Sequence, residues 1–463
     1  MAMPGTARTL LLTASLATLA CGSPQAADLV LHGVHVIDGT GALPTGPMDV
    51  AIRDGEIISI TPASGATPEA TTVLDLEGHY LLPGFIDLHV HLPPDSVVQE
   101  AVLRQLLRYG VTTILNPGAR PGAGPTLRDR LGEDMPRMLS AGEIIDHQPG
   151  TTGPLEWAVL VDDEAGVRAE VRRQAALGVD FIKVYSGMPP PLVTAAVEEA
   201  GRAGLPVIAH AGATTWTDAA ERGVRMLVHS GYGTPMDPLV NLPDPASATD
   251  EEWYRGYADA PNGPAFDTLV HRLRDRDVTV VPTLAITQAS GLGRDASLLP
   301  LFETALAPER DLAGWWDEGW RTRHPQYGDD VDTAEARLLE TIYWPGVLGI
   351  TRAFHARGVR LGVGTDVGNS WITPGTSFHY EMSLYAEAGI PAAEILQMAT
   401  RYGAEALGLA DSIGTVAVGK RADLVVLRAD PTAEIRNTRE IVLVVRGGRV
   451  VQVDGATRSE APR

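Results

Sequence analysis

Between residues 83 and 410 the chain keeps repeating one pattern, a short apolar run followed by an amphipathic helical stretch. The runs are GFIDLHV, VTTILNPG, PRMLSAG, DFIKVYSG, PVIAHAG, RMLVHSG, VTVVPTL and RLGVGTD; between them lie stretches such as VVQEAVLRQLLRYG, AGVRAEVRRQAALG and PLVTAAVEEAGRAG. Brief apolar runs alternating with helices are the signature of parallel strands joined by helical crossovers. Eight such runs predict an α/β fold, a (β/α)8 TIM barrel over 83–410. Two segments, 234–265 and 291–345, break the repeat and are read as insertions. The second holds Trp315, Trp316, Trp320 and Trp344 and is expected to form helices over the barrel mouth.

The flanks read differently. Residues 28–82 give short alternating strands separated by Gly, Pro and Asp turns, and the segment 411–458 is again strand-rich (GTVAVGKRADLVVLRAD, EIVLVVRGGRVVQVDG). Two such segments bracketing a barrel predict one small β-sandwich domain built from both chain termini. Ahead of it, TLLLTASLATLA follows MAMPGTAR, an apolar run of signal-peptide length that is too short to span a bilayer. Residues 1–27 are therefore expected to be an export signal, placing the protein in the periplasm or lipid-anchored in a bacterial envelope. Cys21 is the single cysteine and sits where a lipoprotein would be acylated, so a membrane is expected only through a lipid anchor there, and no disulfide forms. A net charge of −21 argues against a nucleic-acid partner. A small-molecule substrate and assembly as a homo-oligomer are the expectations.

Barrel enzymes carry their reactive groups at the C-terminal ends of strands. The ends of these runs supply His89, His91, Lys183, His210, His229 and Asp366. Residues i and i+2 of a strand share a face, so His89 and His91 can converge on one ion. One His-x-His is weak evidence, whereas four histidines and an aspartate in the same repeating context point to a metal centre. Lys183 is the odd member, since an ammonium repels cations. Of 37 basic residues only two are lysine, Lys183 and Lys420, so the chain writes positive charge as arginine almost everywhere. A neutral lysine amine can react with CO2 to give a carbamate able to bridge two metals, which a guanidinium cannot readily do. The plainer reading is a lysine paired with a nearby acid such as Asp180.

The pieces LLPGFIDLHVHL, DFIKVYSG, PVIAHAG, MLVHSG, LGVGTD, EILQMATRYGAEALGL and GTVAVGKRADLVVL together resemble the amidohydrolase superfamily in its binuclear, carboxylated-lysine form, and especially its imidazolonepropionase-like, prolidase-type branch. The resemblance implies that His89, His91 and Asp366 hold one metal and His210 and His229 the second, with carboxylated Lys183 bridging them; zinc is the usual occupant. It implies hydrolysis of an amide or peptide bond in a small molecule, such as an N-acyl amino acid or a dipeptide, by a metal-bridging hydroxide, with Asp366 as general base and then acid. True imidazolonepropionases lack the bridging lysine, so Lys183 argues against that reaction.

On the substrate side, His147 in GEIIDHQPG and Tyr232 in HSGYG are candidates for binding, His147 by resemblance to a histidine that helps hold the substrate carbonyl or carboxylate. Tyr185, His379 and the arginines 294, 321 and 323 are further residues of interest without an assigned role. Cyclic-amide or lactone hydrolysis would use the same centre. Deamination fits less well: related deaminases often place a Glu soon after the fifth-strand histidine, and the next Glu after His210 is Glu221. A non-catalytic metal-binding surface protein is the alternative of another class, and it would need neither Lys183 nor Asp366.

Overall fold

A computed structural model of the 463-residue chain describes residues 26–64, 70–120, 123–147, 158–230, 236–292, 337–369 and 372–453. Cys21 with nearly all of the export-signal segment, Tyr232, and the tryptophans and arginines between 293 and 336 lie outside the described residues.

The N-terminal strands are β1 (Ala27–Val36), β2 (Thr45–Arg53), β3 (Glu56–Pro62), β4 (Ala70–Asp75) and β5 (Tyr80–Pro83). Asp54 and Gly55 join β2 to β3 with φ of 51° and 77°, the two left-handed residues that a tight hairpin demands and that Asp-Gly supplies at little cost. Next come β6 (Phe85–Asp87), β7 (Val111–Asn116), β8 (Arg137–Ser140), β9 (Ile144–His147), β10 (Ala158–Val161), β11 (Ile182–Val184), β12 (Val207–Ala209), β13 (Met226–Val228), β14 (Thr279–Val281) and β15 (Arg360–Leu361). The chain closes with β16 (Leu424–Leu427), β17 (Ile441–Arg446) and β18 (Arg449–Val453).

These strands make a mixed α/β protein. β6, β7 and β8 form one parallel sheet, and a second parallel sheet runs β10-β9-β11-β12-β13-β14-β15. Two parallel bridges join the sheets, Ala141 to Phe181 on one side and Val90 to Val367 on the other. Most of these strands are buried along their whole length, as a parallel sheet covered by helices requires. The helix Ser96–Arg108 is typical of the cover: the Asp95 side chain caps it by accepting the N–H groups of Val97 and Val98, and Ala101, Val102, Leu103, Leu106 and Leu107 are buried.

The third sheet is made from both ends of the chain, in the order β18-β17-β16-β5-β1-β2-β3, with β4 alongside β1. β5 meets β16 antiparallel, Leu82 opposite Val425. Its apolar cluster mixes Leu29, Val50, Ile52 and Leu81 with Leu424, Val426, Leu443 and Val445, so neither end has a complete core alone. Asp423 ties this sheet to the first parallel one: its carboxylate accepts from Arg137 (2.8 Å), Arg446 (3.1 Å) and the Gly447 N–H (2.7 Å).

Three details depart from the sequence expectation. The pair β9 and β10 was not among the eight runs; it docks on β11 through Ile145 opposite Val184. Regular pairing in β6 and β15 stops at Asp87 and Leu361, so His89, His91 and Asp366 follow on irregular backbone, held by Leu88 N–H to Val363 O, Asp366 N–H to His89 O and His91 N–H to Val367 O. Trp344, expected in the mouth insertion, is the buried first residue of the helix Trp344–Ala356 leading into β15.

Candidate metal centre

Three strand ends converge on one point. His89 Nε2 lies 3.2 Å from His91 Nε2, confirming that the i, i+2 pair shares a face. Asp366 Oδ1 is 3.4 Å from His89 Nε2 and 3.6 Å from His91 Nε2, and Asp366 Oδ2 is 3.9 Å from His229 Nδ1. One donor atom each from His89, His229 and Asp366 falls within 4.8 Å of the others. The imidazole of His210 packs on that of His229 with centroids 4.5 Å apart, and Tyr185 covers His210 at 4.4 Å.

Several polar atoms of these residues are poorly satisfied. Among the described residues His89 Nδ1, Lys183 Nζ and Asp366 Oδ1 are buried without a hydrogen-bond partner, although an orphaned buried polar atom costs about 1–3 kcal/mol. Asp180 does not pair with Lys183: its carboxylate receives Arg128 Nη1 at 2.8 Å and the Ser140 N–H at 2.9 Å. The other lysine, Lys420, spends its ammonium on the Ala410 carbonyl. Imidazole nitrogens, a carboxylate and an amine together form a donor set that fits a divalent cation of nitrogen and oxygen preference.

Electrostatics agree with that fit. Burial lowers Lys183 to about 7, a shift Asp366 opposes, and burial raises Asp366 to about 7. Burial first, and then the charge of Lys183, lower His91 to about 4 and His210 to about 3; burial also carries His89 and His229 well below the usual histidine value. At neutral pH all four rings are thus unprotonated, the form in which imidazole binds a metal. The backbone is strained in the same place: His229, Thr283 and Asp366 have φ of 65°, 53° and 66°. Left-handed non-glycine residues each cost on the order of 1–3 kcal/mol and gather at functional sites.

The sequence pattern of the Amidohydrolase family matches residues 80–242 and 328–451, more than half of the chain. The chain belongs to the amidohydrolase family. A curated adenine deaminase of Moorella thermoacetica is 38% identical over 103 residues, 22% of this chain and 17% of that protein; the match thus spans well under two thirds of the relative's length. Among solved structures, a Xaa-Pro dipeptidase with methionine bound in its active site superposes with a TM-score of 0.67 at 20% identity, over 91% of this chain and 99% of the other. Bottromycin amidohydrolase gives 0.63 at 26% identity, over 91% and 86%.

Of the residues singled out by sequence, this amidohydrolase brings together His89, His91, His229 and Asp366 by direct distance and His210 by ring packing. Lys183 stands close enough for its charge to act on the titration of these histidines. His147 ends β9 outside this cluster, with Nδ1 2.7 Å from the Val161 carbonyl oxygen. His379 is elsewhere, locked between Thr438 Oγ1 (2.9 Å) and the Tyr109 carbonyl (3.0 Å). Sequence reasoning overlooked Asp87. This fully buried carboxylate, raised by burial to about 7, accepts Thr365 Oγ1 (2.7 Å) and the N–H groups of Thr365 (3.1 Å) and His89 (3.1 Å). It thereby joins the His89 backbone to the strand end that carries Asp366. The available signal was its place two residues before His89, on the same face of the run.

Proposed function

We propose that this chain is a metal-dependent hydrolase that cleaves an amide or peptide bond of a small molecule. The parallel strands close into a (β/α)8 barrel over 83–410, capped by a β-sandwich of 28–82 and 411–458. The site would hold two divalent ions, zinc by family habit: His89, His91 and Asp366 would bind one and His210 and His229 the other, with a carboxylated Lys183 shared between them.

Lys183 is the observation that carries the binuclear reading. A side chain 1% exposed, whose amine has no acceptor among the described residues, is placed poorly for a cation and well for a neutral nucleophile. The Nζ lone pair attacks the carbon of CO2, an N–C bond forms, and the displaced amine proton leaves to water, giving a carbamate with two oxygens. Cations held there supply a lowered pKa for water and polarise a carbonyl. Asp366, raised toward neutrality and with Oδ1 free of donors, takes the proton of the attacking water and delivers it to the leaving nitrogen. His147 is the candidate for holding the substrate carbonyl or carboxylate, and Tyr232 a second candidate for binding. The dipeptidase and amidohydrolase neighbours support an N-acyl amino acid or dipeptide-like substrate, with cyclic amides or lactones as the second class. The chain acts in the bacterial envelope, soluble or anchored at Cys21, as a homo-oligomer.

The test is metal analysis of the exported protein together with amine release from an N-acyl-amino-acid and dipeptide panel at defined metal and bicarbonate. Two ions per chain, lost in Lys183→Arg, and release from at least one panel member are expected. One ion per chain with unchanged Lys183→Arg turnover sinks the bridging lysine.

A further inference from the structure

Glu381 lies on the helix Thr376–Glu387, fully buried, and its two oxygens are both occupied: Oε1 accepts the Leu284 N–H at 2.8 Å and Oε2 the Ala285 N–H at 2.6 Å. Those N–H groups open the helix Leu284–Leu292, which follows the end of β14. A threonine just before a helix ordinarily caps it with its own hydroxyl. Thr283 stands in that place, its carbonyl accepting the Thr287 N–H, yet its hydroxyl is turned away. Thr283 Oγ1 donates to the Pro282 carbonyl at 2.7 Å and lies 2.8 Å from His229 Nδ1. A hydroxyl has one proton. Having given it to Pro282, Thr283 can only accept from His229, which puts the ring proton on Nδ1 and leaves the Nε2 lone pair for a ligand.

We propose that Glu381 is a positioning residue for His229. By capping the Leu284 helix from across the barrel, it relieves Thr283 of that duty, holds the turn in its left-handed form, and frees the Thr283 hydroxyl to fix the tautomer and tilt of the imidazole. This rests on His229 being a metal ligand. A glutamine at 381 keeps one acceptor but turns an NH2 group toward the second N–H, so the turn must shift and carry Thr283 with it.

The experiment loads the full chain with cobalt(II) alone and reads its dissociation constant and visible absorption bands in wild type, Glu381→Gln, Thr283→Val, Thr283→Ser and the Glu381→Gln/Thr283→Val double variant. Each of Glu381→Gln and Thr283→Val weakens cobalt binding about tenfold or more and shifts the bands, Thr283→Ser restores both, and the double variant is no worse than its weaker-binding parent. Unchanged affinity and bands in Glu381→Gln, or losses that multiply in the double variant, overturn the proposal. Should Glu381→Gln not fold, Glu381→Asp keeps both acceptor oxygens on a shorter arm: shifted bands in folded protein support the role and wild-type bands overturn it. Wild type and Asp366→Ala are the controls. A wild type that takes up no cobalt defeats the metal reading itself, whereas wild-type uptake with an indifferent Glu381→Gln defeats the positioning role alone.

Discussion

Two buried aspartates show how differently one chain treats the same side chain. Asp423, between the terminal sheet and the parallel strands, is enclosed by two guanidinium groups and a backbone N–H. Asp366, at the strand ends, is as deeply placed, yet among the described residues Oδ1 has no donor, and the His89 and His91 nitrogens stand off at 3.4 Å and 3.6 Å. A buried charge with matched partners holds a fold in one arrangement. A buried charge without them is a cost that persists only where something else gains from it. The first aspartate secures the scaffold, and the second is kept ready for a partner from outside the chain.

The comparison breaks most visibly in Asp366→Asn. Turnover should fall on the order of 10³-fold while the melting temperature holds; steady-state rates and a thermal melt on the same sample check both, and retained turnover would return Asp366 to the scaffold. Asp423→Asn should do the reverse. Leaving Arg446 uncompensated should cost about 3 kcal/mol of stability, read from denaturant unfolding, with kcat per folded molecule unchanged.

A smaller effect separates the regions by pH. Lys183 is lowered in the folded protein from 10.5 to about 7, so between those values the unfolded chain binds the extra proton. Stability of the metal-stripped protein should therefore gain a contribution that grows as pH climbs from about 7 toward 10.5. Lys183→Met should remove it, and identical pH profiles of the two proteins would contradict a buried amine of lowered pKa. The least effect belongs to Asp180→Asn. Its half-exposed pairing with Arg128 should be worth about 1 kcal/mol or less, and metal content should not change; a drop in metal would tie Asp180 to Lys183 after all.

The clustered strand-end residues were legible in the sequence because their logic is local. His89 and His91 share a face by strand geometry alone, and the apolar runs around Lys183, His210 and His229 mark their own ends. Asp-Gly joins β2 to β3 and Gly-Gly joins β17 to β18, each pair holding positive φ, a division that the stretches read as single strand-rich segments did not foretell. What stayed hidden depends on partners far apart in the chain. Thr283 meets His229 across 54 positions and Glu381 meets Leu284 across 97, and no periodicity encodes which turn a lone carboxylate will reach. Glu381 did leave one mark, an acid on the buried helix face with Phe378, Met382 and Tyr385.

The pairing of β5 with β16 has a consequence for how the molecule is made. As the chain leaves the ribosome, β5 finds β1 early, but its other edge stays open until Leu424–Leu427 emerges with both parallel sheets already synthesised between them. An open edge of apolar strand invites the wrong neighbour, and such distant pairing is slow to form. The last strands therefore act as a latch: a polypeptide stalled short of Leu424 keeps an exposed seam that marks it as unfinished.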